Sequence, residues 1–158
     1  MPRRIQVRRS SIHGRGVFAV APIAAGTDLI DYRGRLITHA EADRRYGDDD
    51  SGHTFLFSLN RHYVIDAGHH GNSARFINHS CEPNCETVLV ESDDGDPKRD
   101  RVVIQTLRDI VPGEELAYDY RIDAGGRITR ALLQCWACHC GAPRCRGTLL
   151  YRRRPSRR

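Results

Sequence analysis

Residues Ala74–Cys85 read ARFINHSCEPNC, and this stretch constrains the chain more than any other. Asn78, His79, Cys81 and Cys85 put an amide, an imidazole and two thiols within a few residues of one another. Pro83 and the flanking asparagines make the run turn-rich, so those groups gather at a bend. Working outward, Gly113–Tyr120 reads GEELAYDY. Side chains alternate along an extended backbone, so Tyr118 and Tyr120 face one side and Asp119 the other. Further on, Cys138–Cys145 reads CHCGAPRC, three thiols at the spacing of metal ligands.

The bulk properties set the frame for these motifs. At 158 residues the length suits one domain with a real core. Mean hydropathy is -0.56 and no long apolar run occurs, which predicts a soluble chain without a membrane span. MPRRIQVRR at the start is charged and lacks a following apolar stretch, so it does not read as a secretory signal. Six cysteines without such a signal point away from a disulfide framework, and four of them between Cys135 and Cys145 favour a metal. The net charge of +5 sits partly in the tail YRRRPSRR, Tyr151–Arg158. The tail reads as a frayed, solvated end. A nucleic-acid arm is the sharper reading, which the lack of interleaved aromatics does not support.

Short strands dominate the pattern. Strands are predicted over Ile5–Val7, Gly16–Val20, Thr27–Tyr32 and Leu36–Thr38, then a helix over Ala40–Tyr46 that stops at Gly47. Thr54–Asn60 and His62–Asp66 read as a hairpin, and Ser73–Ile77 as a short helix. Glu86–Glu91 and Arg101–Leu107 are strands joined by an exposed tip, SDDGDPKRD. Leu116–Tyr120 is a strand end, and Ile122–Arg130 a glycine-containing connector. The fold class is mainly β, built of several small sheets.

These tracts, in this order and over about residues 5–150, closely resemble the SET-domain family of S-adenosylmethionine-dependent protein-lysine methyltransferases, trithorax-like in their core motifs. The resemblance implies a β-clip-like fold whose C-terminal segment is threaded under a loop as a pseudoknot. It also implies a SET core over residues 1–120 and a post-SET connector with a zinc motif over 121–150, ahead of a disordered basic tail over 151–158. In IHGRGVFA, Ile12–Ala19, two glycines flank Arg15 and let the backbone approach a ligand closely. By resemblance His13, Gly14, Arg15 and Gly16 form the cofactor loop. Asn78 and His79 would bind the cofactor's amino-acid and adenine portions, and His139 and Leu149 would cover the adenine. Tyr120 would be the catalytic tyrosine, Tyr118 the residue that influences how many methyl groups are added, and Tyr32, in DYRG, a wall of the lysine channel. Phe55 stands where relatives often carry Tyr beside the cofactor or the channel.

Structural zinc takes four ligands, and Cys138, Cys140 and Cys145 supply three. Two completions are open from spacing alone: Cys81 from the NHSC turn, or Cys135, which forms C-x-x-C with Cys138. The resemblance implies Cys81. The reaction it implies is methyl transfer to a lysine of a basic protein, a histone or a DNA-packing protein, with mono- to di-methylation. A zinc-stapled, non-catalytic module that binds nucleic acid or protein is the alternative. An acidic loop at Asp48–Asp50 could attract a basic substrate. No cysteine-rich segment precedes the domain, so the chain reads as a small stand-alone form of bacterial type. That implies a cytoplasmic location, or export to a host nucleus.

Overall fold

The computed structural model describes residues 3–48 and 54–151. Three small sheets carry the chain. The first has the order β1 (Ile5–Arg9), β2 (Arg15–Ala19), β10 (Glu115–Tyr118), β7 (Asn78–His79). The second is β3 (Asp28–Asp31), β9 (Arg101–Thr106), β8 (Cys85–Val90). The third is β4 (Arg35–Thr38), β6 (Tyr63–Asp66), β5 (Leu56–Ser58). Helix α1 (His39–Tyr46) follows β4, and a 3-10 turn, Ser73–Phe76, precedes β7. The mainly β fold class holds.

Local chemistry explains each element. The Thr38 hydroxyl caps α1 by accepting from Glu41 N–H at 3.1 Å. Arg45 reaches back one turn to Glu41 at 2.7 Å. The helix ends at Gly47 as expected. Valines and isoleucines of β8 and β9 give an unbroken six-residue ladder from Cys85↔Thr106 to Val90↔Arg101. Its tip folds on its own polar groups: Ser92 N–H donates to Asp100 Oδ1 at 3.0 Å, and Arg99 meets Asp94 at 2.8 Å. One core gathers all three sheets, with Val17, Ile77, Ile104, Ile110 and Leu116 among its most buried members.

The arrangement that positions the site is the pairing of β7 with β10. It is parallel and only two residues long, Ala117↔Asn78 and Tyr118↔His79. Beyond β7 the chain bends over β10, and Ser80 N–H donates to Tyr118 C=O at 3.2 Å. Asn84 then straddles the strand: its amide donates to Glu115 C=O at 2.9 Å and its oxygen accepts from Ala117 N–H at 2.9 Å. So β10 runs beneath the loop of residues 78–84. After β10 the chain returns, and Ile122 bridges Leu150.

Several elements depart from the pattern read in the sequence. The connector beyond Ile122 ends in a second helix, α2 (Arg130–Cys135), capped by the Thr129 hydroxyl on Leu132 N–H at 3.2 Å. Strand β10 stops at Tyr118, two residues before the expected end. The basic tail beyond Tyr151 and Asp49–Asp50 of the acidic loop lie outside the described residues.

Candidate active site

Asn78 organises the first wall. It is 7% exposed, and its side-chain amide faces four acceptors: Ser10 Oγ at 3.1 Å, His13 C=O at 3.2 Å, Arg15 C=O at 2.9 Å and Glu115 Oε1 at 2.7 Å. Two N–H bonds shared among four oxygens clamp the His13–Arg15 loop to the central sheet. Ser10 also donates to Glu115 at 2.7 Å. Gly16 completes the clamp by its missing side chain, because a Cβ there would meet Glu115 Oε1. Gly14 adopts φ +42°, the left-handed turn that favours glycine.

His79 is 3% exposed and its ring is committed. Its Nδ1 accepts from Tyr120 N–H at 3.0 Å, so the proton sits on Nε2, which faces Cys81 Sγ at 3.3 Å. Burial pushes its pKa down to about 4, against the pull of Asp119. The neutral ring therefore joins the tyrosine segment to the cysteine cluster, and His79 also lines the neighbouring cavity. Asp119 faces away from the tyrosines and takes a bidentate grip from Arg146, at 2.7 and 3.0 Å.

The tyrosines form one aromatic cluster. Ring centroids lie 4.9 Å apart for Tyr118–Tyr120, 6.3 Å for Phe57–Tyr118 and 5.2 Å for Tyr32–Phe57. Tyr120 donates its phenol proton to Ile77 C=O at 2.5 Å, and Tyr32 donates to Phe55 C=O at 3.0 Å. Desolvation raises the pKa of all three phenols, so each stays neutral at any working pH.

Two cavities meet at this cluster. The smaller, about 270 Å³, is lined by His13, Gly14, Arg15, Phe76, Asn78, His79, Cys138, His139 and Leu149, among others. The larger, about 750 Å³, runs along β5 and the segment Asp119–Asp123. Thr54, Phe55, Tyr120 and Trp136 line both. Tyr120 and Phe55 thus stand at the junction. Tyr32 and Tyr118 line neither of these two cavities and sit behind the junction, 5% and 6% exposed. Asp43, Asp66, Asp119 and Asp123 are among the residues lining the larger cavity, against the single arginine Arg121; the Asp66 carboxylate is buried against the Tyr46 hydroxyl and that of Asp119 is held by Arg146.

Cys81, Cys138, Cys140 and Cys145 converge, with all four sulfurs within 4.8 Å of one another. Cys81 Sγ lies 3.7 Å from Cys138 Sγ and 3.9 Å from Cys145 Sγ. A tetrahedral zinc with bonds of about 2.3 Å spaces its sulfurs about 3.8 Å apart, so the cluster fits that ion. Backbone N–H groups of Arg146 and Gly147 point at Cys81 and Cys145, each at 3.3 Å, as thiolates would require. Of the two completions open in the sequence, the fold brings Cys81. Cys135 is outside the cluster.

Several residues here escaped the motif reading. Ser10 and Glu115 hold the Asn78 clamp. Arg75 lays its guanidinium 4.7 Å from the Phe76 ring centre and 5.4 Å from that of Phe55. Trp136 lines both cavities, and its only sequence signal was to be the chain's one tryptophan, set inside the Cys135-to-Cys138 spacing.

The fold and this site define a class. The SET domain family matches residues 14–121, and the chain belongs to that family. Among individual proteins it is similar to the histone-lysine N-methyltransferase, H3 lysine-4 specific, of Kluyveromyces lactis, at 41% identity over 148 residues, covering 89% of this chain and 14% of that protein. Histone-lysine N-methyltransferase 2B of Homo sapiens is 40% identical over 147 residues, covering 90% of this chain and 5% of that protein. Histone-lysine N-methyltransferase trithorax of Drosophila virilis is 40% identical over 144 residues, covering 90% and 4% respectively. The chain therefore spans only a small part of the length of these relatives.

Proposed function

We propose that the chain is a protein-lysine N-methyltransferase. It transfers a methyl group from S-adenosylmethionine to a lysine of a basic protein, a histone or histone-like protein, and adds one or two methyl groups. The observation that carries this reading is the junction of the two cavities at Tyr120. One cavity is mostly apolar with Asn78, His13 and His139 as convergent polar groups, as a nucleoside site would be, and the other is a groove bordered by Asp43 and Asp123 that suits a basic peptide. The names of the similar proteins support the reaction, and that of the Kluyveromyces lactis protein makes a histone H3 tail the first substrate to try.

The donor, when bound, supplies a methyl group on a positively charged sulfur. The chain's own residues supply the rest. Free lysine has a pKa of about 10.4, so roughly 0.1% or less is uncharged at neutral pH. Walls of Phe55, Phe57 and Tyr120 desolvate the amine and favour that uncharged form. The Tyr120 proton is committed to Ile77 C=O, so the phenol oxygen presents lone pairs that accept from the amine N–H and aim its own lone pair in line. With its pKa raised, the phenol gives up no proton and takes none from the ammonium. The amine proton leaves to solvent through the open groove. Alignment of this kind removes several kcal/mol, toward the lower end of the roughly 7–11 kcal/mol available to well-oriented reactions. A zinc ion held by Cys81, Cys138, Cys140 and Cys145 would fix the wall formed by Cys138, His139 and Leu149 over the cofactor.

The test is incubation with methyl-labelled S-adenosylmethionine and a panel of basic proteins that includes histone H3, followed by mass spectrometry. Label on a lysine side chain is the expected result. Calorimetry that detects no binding of the cofactor would sink the reading and favour a non-catalytic zinc module.

A further inference from the structure

Residues 1–27 contain five arginines and no acidic residue. The chain has 25 basic and 20 acidic residues, with five of the basic ones among residues 152–158, so residues 28–151 hold 15 basic groups against all 20 acidic ones. The β1–β2 hairpin is thus a basic pole on an otherwise acidic body. Arg3, Arg4, Arg8, Arg9 and Arg15 are all exposed. None of them forms an ion pair among the described residues, whereas Arg33, Arg45, Arg99, Arg101, Arg108, Arg144 and Arg146 all do.

The register sharpens the point. Ile5 and Val7 pack on the core, so alternation turns Arg4, Gln6 and Arg8 to the outer face. Arg8 lies 5.9 Å over the Phe18 ring and donates to Gln6 Oε1 at 3.1 Å, which spreads its guanidinium on the sheet. At the hairpin's end Arg9 and Arg15 are cross-strand partners on the other face, the side of Val7 and Val17, where Arg15 lies 5.4 Å over the Phe76 ring, so the outer face is carried by Arg4 and Arg8. Arg4 and Arg8 have no carboxylate partner on the outer face among the described residues, so an external anion is the natural complement.

We propose that the outer face of the β1–β2 hairpin is a docking surface for the phosphate backbone of duplex DNA. Guanidinium forks match phosphate oxygens, and contacts of this kind need no base readout. An acidic protein is the weaker occupant, because protein interfaces centre on buried apolar anchors. Among the described residues, the exposed large apolar ones, Leu89, Leu107, Val111 and Tyr151, all lie on other elements. The proposal does not depend on the methyltransferase reading.

Fluorescence anisotropy of the full chain with a labelled duplex of arbitrary sequence, at about 50–200 mM salt, tests it. Affinity is expected to fall with salt and to ignore sequence. The Arg4→Gln/Arg8→Gln variant is expected to flatten the log-log salt slope by about 1.8, at about 0.9 per lost phosphate contact, with cofactor affinity by calorimetry unchanged. Equal affinity and slope in that variant would overturn the proposal and place any binding on the tail. So would a polyglutamate peptide of matched charge that binds as tightly as the duplex. Should the variant not fold, amide shifts of the unmutated chain on adding duplex decide the matter: changes on β1 and β2 support the surface, and changes confined elsewhere refute it.

Discussion

Tyr120 keeps its place through its own proton, given to Ile77 C=O at 2.5 Å, while its backbone N–H holds His79. Removing the oxygen leaves the ring packed but leaves the amine unaimed. Tyr120→Phe is expected to lower turnover about 100-fold with little change in cofactor affinity, since misalignment of about 1 Å costs that much. Full activity in that variant would remove the assignment. The raised pKa of the phenol also fixes the pH response. The reactive species is the uncharged amine, whose fraction grows tenfold per pH unit below its pKa. Turnover is therefore expected to rise with a slope near one between about pH 7 and 9, without a break from Tyr120, in rates measured at saturating cofactor. Tyr118 sits behind the junction at 6% exposure, beside Phe57 and Tyr120. Its hydroxyl sits in the packed layer directly behind Tyr120, so Tyr118→Phe is expected to let that wall recede and shift products toward more methyl groups in mass spectra; tri-methylation by the unmutated chain would sink this. At this scale the sequence was largely legible, because residue types such as Asn78, His79 and the paired tyrosines carry their chemistry with them. The partners of His79 were not legible. They depend on which backbone N–H the β7–β10 pairing brings to its ring.

The C-terminal segment from α2 to Leu150 walls one side of the smaller cavity and is fastened at two points. The cysteine cluster ties it to the NHSC turn, and the Arg146–Asp119 pair ties it to the tyrosine segment. Cys138, His139 and Leu149 in turn line the smaller cavity. With zinc in the cluster, chelation is expected to loosen that wall and weaken cofactor binding at least tenfold, measured by calorimetry, because binding to a site that must first be ordered loses that ordering free energy. Thiol titration checks the same event. Chelation should expose four additional reactive thiols, while Cys85, whose pKa burial pushes up to about 12, stays unreactive until the chain unfolds. The cysteine cluster was only half legible. Three belong to one short motif, whereas the fourth depends on a fold that brings residue 81 to residue 138. Helix α2 went unread because six residues are too few for a period, although its cap, Thr129, was in plain view.

At the scale of the whole molecule, the site exists only where distant segments cross. Strands β7 and β10 pair in parallel over two residues, Asn84 straddles β10, and Ile122 returns to bridge Leu150. No local pattern encodes such crossings. The sequence yielded the small sheets through alternation and turns, and only the family resemblance supplied the threading. Trp136 shows what the crossing achieves, for it reaches both cavities from the C-terminal segment. Because it is the only tryptophan, its emission reports on that junction alone. Cofactor binding is expected to change its emission, since the indole would move from a wet cavity wall to a covered one. A basic peptide added afterwards is expected to change it again. Each ligand orders a wall that the other also touches, so the peptide should bind more tightly to the cofactor-loaded protein than to the empty one. Trp136→Phe is expected to weaken that coupling while leaving the fold intact, with peptide affinity measured by titration in the presence and absence of cofactor. If the two affinities of the unmutated chain are equal, the cavities are separate sites and the shared wall at Thr54, Phe55, Tyr120 and Trp136 transmits nothing between them.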